Sequence, residues 1–511
     1  MPQKVFHPEH GSGEVVTYRR GGRVAIVDFD DKPMPTHVPV REFTVREVDE
    51  EGEQKERRSS VEELLDTGPR FEGKRDETES ARVLEAMRLG VVPSAGIDVY
   101  TVGRDVEVGQ VQADLGRAKR GGGALRAFLG DYGTGKTHLL QLAAQRALEE
   151  NFLAARVVLD PRETPPSHPK RVYRQLVRSL RYPNRPHDEE AGLRPLFEAA
   201  VDDEDLREMF DVRRGKGNRD ERLAEGMHLY LSPALSYFRE LAADDAEERI
   251  HGIEDDAIEA YLEDSLNLLF DWVEGHPTIS NSEINERLSH VDGAYPWLYS
   301  LMDFRPWARI YGYLLSGIST LARQAGYAGL AIFVDEAERF SLLSSENRKF
   351  ARYVFKAISY AAVGSETVPF DRSQLTELGG WGVQQQLPPR YGEEPGMYAV
   401  FAMTPHERGL DSLYDAVPAG KVSELRHFDN RDYAELAGKV CDFYASAYPD
   451  WEITERTVTR CTSLVEDCHD RGDILNPRDA MKFLVEFLDV ARQRPDSVGD
   501  VLRHLERLAT F

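Results

Sequence analysis

The stretch from Gly130 to Thr137 reads G-D-Y-G-T-G-K-T, a match to G-x-x-x-x-G-K-T. An apolar run, ALRAFL (124–129), precedes it, and a helix-forming run, THLLQLAAQRALEE (137–150), follows. Strand, glycine-rich loop and helix in that order make a phosphate cradle. Gly130, Gly133 and Gly135 let backbone N–H groups curl around anionic oxygens without a side-chain clash. The helix N-terminus adds the positive end of its dipole. Lys136 can reach the β- and γ-phosphates, and Thr137 can ligate Mg²⁺. The predicted nucleotide contacts are Gly130, Asp131, Tyr132, Gly133, Thr134, Gly135, Lys136, Thr137 and His138.

A cradle binds; turnover needs more. The run GLAIFVDEAERF (329–340) has four apolar residues, Ala331 to Val334, and then Asp335 and Glu336. An acid at the end of a buried strand beside the phosphate loop can hold Mg²⁺ through water, and the next carboxylate can polarise the attacking water. The other reading of Glu336 is a cap on the following helix. A third strand, in MYAVFAMTPHERGL (397–410), ends at Thr404. Its hydroxyl either touches the water or the γ-phosphate or serves a local turn. Arg408, Arg426 and Arg478 are candidate cations for the γ-phosphate, in cis or across a subunit interface, although most arginines are plain surface residues.

The apolar runs ALRAFL, ARVVLD, GLAIFVD and MYAVFAM are short, near-continuous and bounded by turn or helical sequence. They predict buried strands of a parallel sheet with helices on both faces, an α/β core. With 511 residues, the chain is long enough for two to four domains. The expected plan is a small β module over 1–48, a polar linker over 49–75, the α/β core over 76–427 with a helical insertion at about 185–305, and a helical lid over 428–511. The run ETESARVLEAMRLG (77–90) predicts a helix capped by Thr78 or Ser80, apolar along Val83, Leu84, Met87 and Leu89, and ended by Gly90. The first module shows three β-rich runs with glycine turns, VFHPEHGSGEVV and VAIVDFDD among them. These resemble CarD/Tudor-like modules and predict a five-stranded SH3-like barrel, either a docking module for another protein or a capping domain without a partner.

No apolar run reaches bilayer length, and the N-terminus lacks the pattern of a signal peptide. The cysteines, Cys441, Cys461 and Cys468, fit neither a disulfide framework nor a paired zinc motif. They point to a reducing compartment, the cytoplasm.

The ordered set TVGRDVEV, GDYGTGKT, IFVDEAE, FAMT and NPRDA resembles the AAA+ ATPase pattern. More narrowly, AMRLGVVPSAGIDVYTVGRDVEV, GGGALRAFLGDYGTGKTHLL and ARVVLDP look like the ATP-binding proteins of bacterial BREX phage-defence systems, the BrxC/BrxD type. The resemblance runs over about 81–489, with gaps. It implies a nucleotide site in which Val102, Gly103 and Arg104 line the adenine pocket and Lys136 and Thr137 hold phosphate and metal. Asp335 then organises the metal, Glu336 activates water, Thr404 is the polar sensor and Arg478 the lid arginine. It places no arginine finger, and Arg426 and Arg408 stand as guesses for that role. ATP and Mg²⁺ follow as cofactors, other proteins of the defence system as partners, and a homo-oligomer, with ATP as a candidate trigger of its assembly, as the quaternary state. The β module is an addition to the family plan, and the short stretch after the lid leaves little room for a winged helix that reads DNA.

One helix offers a basic face. KRVYRQLVRSLRYPNR (170–185) sets Arg171, Arg174, Arg178 and Arg181 three and four residues apart, on one side, and RRGKGNR (213–219) adds charge. Double-stranded DNA would be met there through its phosphates, without reading sequence. The alternative is a solvated face paired with acids of the insertion, which the net charge of −25 favours. Two functions follow: an ATP-hydrolysing motor or loader working on DNA, or a nucleotide-gated scaffold with slow turnover that recruits an effector through the β module. A RecA-like helicase core is a weaker rival, since the TVGR segment and the helical C-terminal region both fit AAA+.

Overall fold

The apolar runs 124–129, 329–335 and 398–403 are buried at every residue, which is what a strand covered on both faces requires. The computed structural model describes, as backbone, strand segments between 4 and 56. It also describes residues 76–494 apart from 94–95, 187–188, 203–205, 207–226, 277–278, 292–296 and 376–386. The basic run 213–219, the tail 495–511 and most of the expected linker 49–75 lie outside the described residues. The chain divides into two units, Met1–Lys74 and Arg75–Phe511.

The first unit contains β1 (Lys4–His7), β2 (Gly11–Arg19), β3 (Val24–Phe29), β4 (Thr36–Pro39), β5 (Thr44–Val48) and β6 (Gln54–Glu56). They pair antiparallel in the order β4-β3-β2-β1-β5-β6, with a register shift in β2 between Val15 and Thr17. The last of these strands falls within the span read as linker.

In the second unit, β7 (Ala124–Leu129), β8 (Phe152–Val158), β9 (Gly329–Asp335), β10 (Tyr398–Met403) and β11 (Val422–Glu424) form a parallel sheet in the order β11-β7-β10-β9-β8. The strand that ends before Thr404 therefore lies between the strand of the phosphate loop and the strand of the acids. Register aligns Met403 with Leu129 and Phe401 with Val334, so all three carboxyl ends open at one edge. Ligands of open α/β sheets bind outside such ends.

Side chains alternate across the sheet. Phe128, Phe333 and Val400 meet α3 (Asp105–Lys119) and α4 (Lys136–Glu149). Leu125, Ile332 and Phe401 meet the helices that connect β8 to β9 and β9 to β10. In the midst of β7, Arg126 is buried and donates to Asp114 of α3 at 2.5 Å.

A separate apolar core joins the C-terminal helices Asn430–Ala447, Glu455–Asp470 and Pro477–Gln493. To it belong Val83, Leu84 and Met87 of α1 (Glu77–Leu89) and Ile97 and Tyr100 of α2 (Ile97–Tyr100). The cap of α1 differs from expectation: Asp76 accepts from the Thr78 amide at 3.0 Å, whereas Ser80 is buried within the helix. Leu89, at 63% exposure, lies off the apolar face because the helical period carries it to the side opposite Met87, and Gly90, with φ 69°, ends the helix. All three cysteines are buried and unbridged. Among the described residues, no helix is long and apolar enough to cross a membrane.

Candidate functional site

The phosphate loop leaves β7 at Gly130 and enters α4 at Lys136. Gly133 and Gly135 take φ values of 81° and 97°, in the left-handed region that side chains resist. A Cβ on Gly133 would also sit 2.5 Å from Asn476, so the loop passes directly under the start of the last helix. Lys136 is buried and donates to the carbonyls of Gly130 at 2.7 Å and Asp131 at 3.0 Å. Burial lowers its pKa, against the pull of the Glu338, Asp335, Glu336 and Asp131 carboxylates.

Thr137 and Asp335 meet. The Thr137 hydroxyl donates to Asp335 Oδ2 at 3.0 Å, and Arg156 of β8 donates to the same oxygen at 2.7 Å. Asp335 Oδ1 accepts from the Glu336 amide at 3.0 Å. A hydroxyl and a carboxylate suit Mg²⁺ that keeps its other positions for phosphate and water. No group of three or more His, Cys, Asp or Glu forms a metal site among the described residues.

Glu336 holds a left-handed backbone, φ 58°, which is uncommon for a residue with a side chain and typical of functional turns. Its carboxylate accepts from Arg339 Nε at 3.1 Å. Its pKa is raised, first by burial, then by Glu338 and Asp335, with Arg339 opposing. Thr404 donates its hydroxyl hydrogen to Glu338 Oε1 at 2.6 Å.

A cleft of about 830 Å³, open mouth included, brings together Tyr132–His138, Glu336, Thr404 and Arg478. Its other walls are apolar: Val92, Pro93, Tyr100, Phe428, Leu436 and Met481. Arg478 donates to the Tyr132 hydroxyl at 2.7 Å and lies 5.0 Å from that ring's centre. His138 touches Thr101 through Nε2 at 2.7 Å. Because the Thr101 hydroxyl donates to the Ile97 carbonyl at 2.6 Å, His138 Nε2 must carry the hydrogen. Burial, with Arg104 nearby, lowers its pKa to about 4, so the ring is neutral.

Val102 and Arg104 line the same cleft, and Gly103 is left-handed at φ 61°. Arg104 is buried and donates to the Thr134 carbonyl at 2.7 Å and the Arg426 carbonyl at 3.0 Å, fixing the loop from behind. Arg426 itself is committed elsewhere. Both its terminal nitrogens hold the Asp432 carboxylate, Nη2 to Oδ1 at 2.8 Å, and it does not line the cleft. Arg408 is exposed on the helix Glu407–Tyr414.

The basic helix α5 (Pro169–Arg178) is mostly neutralised. Arg171 pairs with Asp303 at 3.0 Å, Arg178 with Asp271 at 3.6 Å, and Arg181, just beyond the helix, with Glu190 at 3.7 Å. Arg174 has no carboxylate within 4.0 Å among the described residues.

Sequence reasoning missed four participants. Glu338 had a signal, lying two residues beyond Glu336 in the same acidic run. The apolar wall from Phe428 to Met481 had none, because lid helices show the same periodicity whether or not they face a ligand. Arg156 reaches Asp335, and Asn476 reaches the loop, only through tertiary packing.

A parallel sheet, a glycine-rich loop at the end of its buried strand and a buried lysine at the following helix start fit the fold of a P-loop nucleotide-binding core. Residues 76–358, more than half of the chain, match the family of the BREX system ATP-binding protein BrxC/D. The chain belongs to that family and is accordingly an ATP-binding component of a BREX defence system. No individual curated protein matches it.

Proposed function

We propose that this protein is an AAA+ ATPase that hydrolyses ATP and couples turnover to the assembly or remodelling of a DNA-associated complex with other proteins of its system. One observation carries the reading: Glu336 and Thr404, at the ends of β9 and β10, line the same cleft as the phosphate loop and Arg478 of the C-terminal helices. The strand order, with β10 between β7 and β9, supports the AAA+ assignment over a plain nucleotide-binding sheet.

The adenine lies among Val92, Pro93, Tyr100, Val102 and Phe428. The phosphates take the backbone N–H groups of the loop, and Lys136 exchanges its bonds to Gly130 and Asp131 for the β- and γ-oxygens. Thr137 and Asp335 would hold Mg²⁺, which when bound neutralises phosphate charge. Glu336 accepts a proton from water as that oxygen attacks the γ-phosphorus and the bond to the β-bridging oxygen breaks. Arg478 faces the phosphates from the lid, and the arginine that completes the site comes from a neighbouring subunit of a homo-oligomer.

Glu336→Gln should retain ATP binding and lose turnover and phage protection, by at least about a hundredfold in rate. Undiminished protection by that variant would sink the motor reading. The second reading, a nucleotide-gated scaffold recruiting an effector through the first unit, gains from the neutralised face of α5. Duplex DNA at low salt separates the two. Stimulated turnover, lost in Arg174→Glu with Arg178→Glu, supports the motor, and an unchanged rate supports the scaffold.

A further inference from the structure

Thr404 has one hydroxyl hydrogen, and its Oγ1 donates that hydrogen to Glu338 Oε1 at 2.6 Å. A carboxylate only accepts, so the direction of this bond is fixed. Glu338 stands on the 3-10 helix Ala337–Leu342 directly after Glu336. Its second oxygen, Oε2, is buried without a hydrogen-bond partner among the described residues. It is also the foremost charge acting on Lys136. A buried carboxylate oxygen without a partner is costly.

The γ-phosphate oxygens are acceptors and need donors. While Glu338 holds its hydrogen, Thr404 has none to give. Water has two. We propose that Glu338 is a positioning residue that fixes Thr404 as an acceptor toward the cleft, so that Thr404 takes a hydrogen bond from the attacking water and gives none to the γ-phosphate. This rests on the hydrolysis reading above and specifies how the water is aimed. The water then donates one O–H to Thr404 and the other to the Glu336 carboxylate. As its oxygen bonds to phosphorus, the second proton passes to Glu336, and the bridging P–O bond breaks with its electron pair leaving on ADP. The same carboxylate is a fixed negative charge near the phosphate site, so it weakens nucleotide binding while it orders the water.

The two effects separate in the test. Turnover is measured for Glu338→Ala, Thr404→Val, Thr404→Ser and the double variant Glu338→Ala/Thr404→Val, and affinity for a non-hydrolysable ATP analogue is measured for Glu338→Gln. Glu338→Ala and Thr404→Val should each lower kcat roughly ten- to a hundredfold. The double variant should fall no further than the worse single one, because both remove one unit. Thr404→Ser, which keeps the hydroxyl, should recover most of the kcat lost in Thr404→Val, and Glu338→Gln should bind the analogue several-fold more tightly. Losses that multiply in the double variant, or a Glu338→Ala enzyme with unchanged kcat, overturn the proposal while leaving the ATPase reading intact. A wild-type protein that binds ATP without turning it over removes the hydrolysis reading and this inference with it.

Discussion

In the proposed mechanism, Glu336 and Glu338 are the residues whose charges decide the chemistry. The Glu336 pKa lies above the ordinary glutamate value of 4.5, with burial the leading cause and Glu338 the next. A general base works only when ionised, so kcat should fall as pH drops through this raised value, at a higher pH than an unperturbed carboxylate would give. Glu338→Gln removes one of the raising charges and should move the acidic limb of the pH–rate profile downward. A limb that stays in place would show that Glu338 does not act on the base. Lys136 is the complementary case. It is desolvated before the nucleotide arrives and bonded only to its own loop, so Lys136→Ala should abolish analogue binding by calorimetry, and retained binding would mean that the cradle works without it.

At the scale of elements, two buried polar devices hold the second unit together. The Arg126–Asp114 pair ties β7 to α3 beneath the phosphate loop, both side chains nearly inaccessible. Removing one partner strands the other charge, so Asp114→Asn should cost about 3–5 kcal/mol in denaturant unfolding. His228 is the second device. Its Nδ1 accepts from the amides of Tyr230 and Leu231 at 3.1 and 3.0 Å, where the helix Leu231–Leu241 begins. Burial lowers its pKa to about 3. Below the ordinary histidine range the unfolded chain takes up a proton that the folded chain refuses, so stability falls as pH drops from about 6.5 toward 3, by up to about 1.4 kcal/mol per pH unit. His138, lowered to about 4, adds in the same direction over the upper part of that window. His228→Asn should flatten the acid slope of a thermal-unfolding series, and an unchanged slope would locate the titration elsewhere. Strands and the phosphate loop were legible in the sequence because a strand buried on both faces must read as an unbroken apolar run, and because a backbone cradle demands glycines at fixed positions. The cap of α1 was not, since Asp76, Thr78 and Ser80 are all capping types and only the packing of Ser80 against the C-terminal helices decides among them. Nor was the commitment of Arg426 to Asp432, because an arginine's partner is set by tertiary geometry rather than by its neighbours in sequence.

Across the second unit as a whole, the cleft has walls from two cores. The phosphate loop, Glu336 and Thr404 belong to the sheet, whereas Tyr100, Leu436 and Met481 belong to the core that α1 and α2 share with the C-terminal helices. Arg478 and Asn476 are where the second core touches the loop, Arg478 through Tyr132 and Asn476 against Gly133. A ligand seated between two cores stabilises both, and by about 2.7 kcal/mol when present at a hundred times its dissociation constant. Hydrogen exchange with and without a non-hydrolysable ATP analogue should therefore slow in two places, the phosphate loop with α4 and the helix Pro477–Gln493 with α1. Arg478→Ala should keep the first protection and lose much of the second, since the phosphates would still bind the loop at the sheet edge while the helix Pro477–Gln493 lost its grip on them. Protection confined to the loop in the wild type would mean that the C-terminal helices do not close on nucleotide. Coupling of turnover to any partner would then have to leave through the sheet instead, by way of Glu338 and Thr404 at the ends of β9 and β10.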